Sequence, residues 1–339
     1  MVRGARNEGG GLFSALSRLM AMPLQALAAD ALPSWNEGPV KQAILDFVTR
    51  STTEGDAGFI PPEARIATFD NDGTLWPEQP LVQGAFMLKP LRARVKQAPS
   101  LAKRQPFKAV LEGDLSGLSS MDKSKLMKLL GETHAGMTEE VFIREVRTFF
   151  QHARHPRWSV PYNQLAYAPM LELLRFLRTN GFQTWISSGG GIDFIRVISE
   201  DTYGIPPQQV IGSHLKKTFD GGHAPSVLRR EARVAHVNDK AGKPVGIDEH
   251  IGRRPVFAAG NVRSGGDIQM LQYTRRRPRP GFALLIHHDD AAREFAYEEK
   301  DGASLKAARE GGWAVVSMQR DWRRIFNGTR GARTGNGRG

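Results

Sequence analysis

Short apolar runs that stop at polar or glycine-rich turns alternate along this chain with segments of helical spacing. "ARIATFD" ends at Asp70, "FQTWISS" runs into Gly189-Gly190-Gly191, "PVFAAGN" ends at Asn261, and "GFALLIHH" closes on polar residues. Around them, "VKQAILDFVTR" spaces Val40, Ile44, Phe47 and Val48 for one helix face. "PMLELLRFLRTNG" reads as an amphipathic helix stopped by Gly181, and "IDFIRVISEDTYG" and "GDIQMLQYT" read as further helices. Strand, turn and helix in repetition predict an α/β fold, a Rossmann-like parallel sheet covered by helices on both faces. No internal repeat is present.

Residues 77–160 differ in character. They are rich in Lys, Leu and Met and hold "MDKSKLMKLLGETH" and "TEEVFIREVRTFFQHARH", which predict helices and little strand. The expected organisation is therefore a core from 29–76 and 161–325, with a helical insert at 77–160 after the first strand. The last segment, 326–339, is Gly/Arg-rich without apolar period and reads as a basic disordered tail.

The first 28 residues carry Arg3 and Arg6, a mostly apolar stretch from Leu12 to Leu27 interrupted by Arg18, and Ala26-Leu27-Ala28 as a small-x-small pattern. This reads as a cleavable leader and predicts a periplasmic or secreted protein; the alternative is a short amphipathic or disordered leader on a cytoplasmic one. Nothing downstream reaches the ~18–20 unbroken apolar residues of a membrane span. The absence of cysteine excludes disulfides, thiolate metal sites and cysteine nucleophiles. The net charge of +12 is concentrated in Arg275, Arg276, Arg277, Arg279 and the tail, and no nucleic-acid-binding pattern accompanies it, so no nucleic-acid partner is expected. A basic surface also attracts small phosphate-bearing molecules.

In open α/β sheets ligands collect at the carboxyl ends of the strands. Those ends carry Asp70 and Asp72, Ser187 and Ser188 before the glycines, and Asn261 with Asp267, while an intervening loop offers Lys240 and Lys243. Two carboxylates one residue apart repel unless a cation or proton separates them. Two acids, a hydroxyl by a glycine turn, a lysine and a further acid can together hold Mg2+ and bind a phosphoryl group.

"FDNDGTLW" resembles the first motif of the haloacid dehalogenase superfamily, D-x-D-G-T-[LV]. "WISSGGG" is similar to its second motif, "GKPVGI" to the lysine-bearing third and "FAAGNVRSGGDIQML" to the acidic fourth, in the family's order. The insert resembles the helical cap of the phosphoserine-phosphatase-like branch. The resemblance implies Asp70 as nucleophile, forming an aspartyl phosphate, and Asp72 as general acid/base, the residue that phosphatases keep and dehalogenases lack. It implies Mg2+ held by the Asp70 carboxylate, the Asp72 carbonyl and fourth-motif groups. Ser188 and Gly189, with nearby backbone N–H groups before the following helix, would hold phosphate oxygens, while Ser187 finishes the strand. Lys243 fits the family context and would offset the charge of Asp70 and phosphate; Lys240 could do the same. The fourth motif departs from the family's G-[DN]-S-x-x-D, since Asn261 and Asp267 stand six apart. Asn261 could bind metal only through its neutral oxygen, and Asp267 directly or through water if Gly265 and Gly266 let the loop bulge. Arg263 either touches substrate or pairs with an acid.

"HHDD", His287 to Asp290, has ligand types at a strand end, but neighbouring residues on a strand alternate faces, which favours a structural use. The glycine cluster lacks G-x-G-x-x-G spacing, and tryptophans such as Trp76 and Trp158 read as packing. The implied activity is a Mg2+-dependent phosphatase acting on a small-molecule phosphate ester. The alternatives are a phosphotransferase or mutase on the same core, or a catalytically lapsed binding protein. The sequence gives no oligomeric state.

Overall fold

The computed structural model describes residues 31–105, 107–112, 123–222, 224–263, 265–277 and 281–327. The leader at 1–28 and the tail from 328 onward lie outside them. Seven strands form one sheet in the order β4-β3-β2-β1-β5-β6-β7. They are β1 (Ile66–Phe69), β2 (Gln183–Gly191), β3 (Val210–Asp220), β4 (Val227–His236), β5 (Phe257–Asn261), β6 (Phe282–His287) and β7 (Ala314–Ser317). Helices of two turns or more are α1 (Pro39–Thr52), α2 (Val82–Gln97), α3 (Lys123–His134), α4 (Glu139–His152), α5 (Ala168–Thr179), α6 (Gly242–Ile251), α7 (Ile268–Arg275) and α8 (Ala303–Gly311).

β1 is central and buried along its whole length, with Phe69 in register with Ile186 of β2 and Ala259 of β5, both parallel. A strand buried on both faces must be apolar throughout, and "IATF" is such a run. Alternation along β5 and β6 sends side chains to two separate cores. Phe257, Ala259, Leu284 and Ile286 join Ile44 and Val48 of α1 and Leu173, Leu174 and Leu177 of α5 on one face. Ala258, Ala283 and Leu285 join Ile247 of α6, Met270 and Leu271 of α7 and Ala308 of α8 on the other. The strand ends are therefore held between two helical layers, and the loops leaving them share one edge.

The sheet is parallel, as expected from the sequence, except at one edge. β3 and β4 form an antiparallel hairpin that the sequence reading did not recognise. "VLRREARVAH" looks too charged for a strand, yet it is a partly exposed edge whose polar side chains have partners. Arg230 is buried and donates to Asp193 at 2.7 Å and to Glu139 of α4 at 3.0 Å. Its guanidinium also lies 3.9 Å from the Phe142 ring centroid, a favourable place for a desolvated cation. The outer edge of β4 is covered too, because Arg230 N donates to Met137 O.

The segment 77–160 holds α2, α3 and α4 and no strand among its described residues. α4 begins at Thr138, whose hydroxyl accepts from Val141 N–H, with Glu139 and Glu140 in the first turn and His152 in the last. That charge order complements the helix dipole. Its buried stripe is Phe142, Val146 and Phe150, at helical spacing. No helix among the described residues is long and apolar enough to cross a membrane.

Candidate active site

The loop after β1 is anchored from several sides. Asp70 N donates to Ala259 O of β5 at 2.9 Å, Asn71 O accepts from Leu75 N at 2.8 Å, and Gly73 N donates to Trp76 O at 2.8 Å. Gly73 has φ +75, and a Cβ there would stand 2.6 Å from Asn261 Nδ2. Only glycine satisfies both the left-handed backbone and that approach. From the far side His288 Nε2 donates to Gly73 O at 2.7 Å, with Nδ1 3.0 Å from Glu294 and the ring stacked on Tyr297 at 4.2 Å. The histidine of "HHDD" thus shores up the loop. Among the described residues no group of three or more His, Asp or Glu side chains is arranged to hold a metal.

Lys243, in the first turn of α6, is 1% exposed and reaches Asp70 Oδ1 at 2.6 Å, Ser187 O at 2.8 Å and Asp267 Oδ1. Lys240, by contrast, is exposed and has φ +51. Asp267 uses its other oxygen to accept from Asn261 N–H at 2.9 Å, so both of its oxygens are occupied by protein groups. Burial works against the Lys243 ammonium, but Asp267 and Asp70 outweigh it and raise its pKa. Burial, together with the charges of Asp267 and Asp72, pushes the Asp70 carboxyl well above the ordinary carboxylate value, against the pull of Lys243. Two buried acids sharing one ammonium leave an excess of negative charge.

Asp72 turns its side chain the other way. Its Oδ1 accepts from the buried indole Nε1 of Trp76 at 2.7 Å. Its backbone oxygen accepts from Asn261 Nδ2 at 2.6 Å, and the same nitrogen lies 3.4 Å from Asp70 Oδ2. Asn261 Oδ1 is buried with no hydrogen-bond partner. The Asp70 carboxylate and the Asp72 carbonyl therefore meet at the Asn261 amide.

Ser187 and Ser188 are both fully buried. Ser188 Oγ accepts from Gly190 N–H at 3.0 Å, and Ser187 Oγ accepts from Asn238 Nδ2 at 3.1 Å. Gly191 N–H donates to Gln83 of α2 at 2.8 Å. The Gly190 and Gly191 N–H groups are thus taken by side chains, while Gly189 faces the cavity. β2 continues through the glycines instead of turning at them. Arg263 donates from Nε to buried Glu78 at 3.2 Å and lies 5.6 Å from the Tyr297 ring centroid. Burial raises the pKa of Glu78, with Arg263 and Lys123 opposing.

The charged groups and Asn261 border one polar cavity, whereas Ser187 and Ser188 do not line it. Asp70, Asp72, Glu78, Asp239 and Asp267 supply five carboxylates to it, against three cationic groups, Lys123, Lys243 and Arg263. Sequence reading missed Glu78, Lys123 and Asp239, which lie outside the four motifs, and it gave Trp76 only a packing role. The "WPE" of 76–78, directly after the aspartates, was the available signal for two of them.

A family model for haloacid dehalogenase-like hydrolases matches residues 67–272, from β1 to α7. The chain belongs to that family. The match takes in both aspartates, the serine pair, Lys243, Asn261 and Asp267, and every residue that lines the polar cavity. No curated protein sequence matches the chain. A conserved protein of unknown function from Anaerococcus prevotii has a similar structure, with a TM-score of 0.53 and 16% identity, over 82% of this chain and 91% of that one. A protein of unknown function from Bordetella pertussis matches at a TM-score of 0.49 and 15% identity, over 75% of this chain and 98% of that one. The first likeness shows that the fold extends beyond the family match to most of the chain.

Proposed function

We propose that this haloacid dehalogenase-like protein is a phosphatase that hydrolyses phosphate monoesters of small molecules through an aspartyl phosphate on Asp70. The observation that carries the reading is the division of labour between the two aspartates. Asp70 is held by Lys243, and Asp72 is held apart from it by Trp76, both at one cavity. Asp70 attacks phosphorus, the bond from phosphorus to the ester oxygen breaks, and Asp72 gives its proton to the departing alkoxide. Water then attacks the phosphorus of the aspartyl phosphate and loses a proton to Asp72. The bond from phosphorus to Asp70 breaks, and inorganic phosphate is released. Lys243 stays charged throughout and offsets the negative charge on Asp70 and the phosphoryl oxygens.

The residues present fit Mg2+. A dianionic phosphate enters a cavity where carboxylates outnumber cationic groups by two, five against three, so added positive charge is needed. Asn261 meets the Asp70 carboxylate and the Asp72 carbonyl through Nδ2, and its orphaned Oδ1 is a hard oxygen. Half a turn of the amide would bring that oxygen toward both. Asp70, Asp72 and Asn261 would hold the ion, with Asp267 reaching it through water, and several waters completing its shell. Bound there, Mg2+ supplies charge that lets an anionic ester approach an anionic nucleophile.

Full-length protein with p-nitrophenyl phosphate and Mg2+ tests the reading. Turnover is expected in the wild type and none in Asp70→Asn. Full activity in Asp70→Asn, or none in folded wild-type protein, overturns it.

A further inference from the structure

A second cavity lies against the polar one. The two share Asp72, Lys123 and Gly189. About 480 Å³ of space between the atoms, its open mouth included, lies within the second. Its walls come from Phe86 and Met87 of α2, Leu126, Met127 and Leu130 of α3, and Phe142 of α4. Asp72 and Lys123 are its only charged groups among the described residues, and both sit where it joins the polar cavity. The aromatic wall is fixed, since Phe86 meets Phe142 edge-on at 5.8 Å and stacks on His134 at 5.4 Å.

Position decides what the second cavity receives. Asp72 is the group that protonates the leaving oxygen, so the part of the ester beyond that oxygen lies on its side, away from Lys243 and Asp267. We propose that the apolar cavity takes the leaving group, and that the substrate class is the monophosphate ester of an apolar alcohol; this rests on the phosphatase reading above. Sugars, polyols and amino acids carry hydroxyl, ammonium or carboxylate groups that these walls strip of water without replacing a hydrogen bond, at a cost that opposes binding. A single exception is built in. Gln83 gives its oxygen to Gly191 N–H, and its Nε2 is buried with no partner. That nitrogen can donate to one acceptor, such as an ether or carbonyl oxygen, on an otherwise apolar alcohol.

The test compares benzyl phosphate with glycerol 3-phosphate on the full-length protein with Mg2+. Both leave as alkoxides, and the glycerol alkoxide is the less basic, so intrinsic reactivity does not favour the benzyl ester. A kcat/KM higher for benzyl phosphate by about tenfold or more is expected, the discrimination an apolar pocket supplies. Met127→Gln keeps the side-chain length and adds an amide. It is expected to lower kcat/KM for benzyl phosphate about tenfold and to shrink the ratio between the esters. Leu126→Asn gives the same readout if Met127→Gln does not fold. Turnover of both esters with equal or reversed preference overturns the substrate class and leaves the phosphatase reading standing. Turnover of p-nitrophenyl phosphate but of neither ester overturns this inference alone, and turnover of none of the three overturns the phosphatase reading with it.

Discussion

Trp76 donates its indole N–H to Asp72 Oδ1 at 2.7 Å, four residues along the chain and inside the same turn. The bond aims the second carboxylate away from the Asp70–Lys243 pair and toward the junction of the two cavities. Trp76→Phe keeps an aromatic ring near Phe150 and Tyr203 and removes the donor together with part of the buried indole. Acid assistance matters most for poor leaving groups. The variant is therefore expected to lose about tenfold or more in kcat on benzyl phosphate and much less on p-nitrophenyl phosphate. Equal losses on the two esters would show that Trp76 does not act through Asp72.

Lys243 is the single ammonium between Asp70 and Asp267. Lys243→Met leaves two buried acids facing each other, and breaking a buried pair this way costs about 3–5 kcal/mol. The variant is expected to be inactive and to melt at a clearly lower temperature. Adding Asp70→Asn to Lys243→Met is expected to restore part of the melting temperature and none of the activity. A double variant no more stable than Lys243→Met would refute this account of the site's energetics.

In the proposed Mg2+ site Asn261 would offer a neutral oxygen where a carboxylate would bind more strongly. Asn261→Asp is expected to lower melting temperature without Mg2+, because a third carboxylate joins Asp70 and Asp72. It should also steepen the rise in melting temperature as Mg2+ is added, since a ligand of the folded state stabilises it. Thermal melts across a Mg2+ series check both signs. An unchanged response to Mg2+ would remove Asn261 from the ligand set.

His134 adds a pH dependence remote from the reacting groups. Burial lowers its pKa from 6.5 to about 4, the Leu130 carbonyl opposing and Arg230 adding to the shift. A histidine kept neutral in the fold contributes stability that is fully present above 6.5 and lost as pH falls toward about 4. The full loss is on the order of 3 kcal/mol. His155 is shifted in the same direction, also to about 4, so His134→Leu is expected to remove only part of the acid sensitivity. Urea unfolding at neutral and acid pH, in wild type and variant, measures the difference. An unchanged acid sensitivity in the variant would count against His134 as its source.

The parts of the site that were legible in sequence are those made within one loop. Asp70, Asp72 and Gly73 follow an apolar run, and the paired carboxylates and the glycine turn are contained in those few residues. The helices with a clear apolar stripe, α1, α4 and α5, were legible for the same local reason. β4 was not, because its arginines read as surface until Asp193 and Glu139 are brought against them.

The amino-acid sequence by itself determined the alternation of strands and helices, the strand-end loops and the pair of aspartates, all set by local pattern and turn chemistry. Only the tertiary structure decided between Lys243 and Lys240. Those residues are three apart, but the first turn of α6 carries one inward to Asp70, 173 residues away in sequence, and leaves the other exposed. It also decided that Gln83 would cap Gly191, and that α2, α3 and α4 would line an apolar chamber beside Asp72. Such contacts depend on how distant segments pack, and no local preference of the chain specifies them.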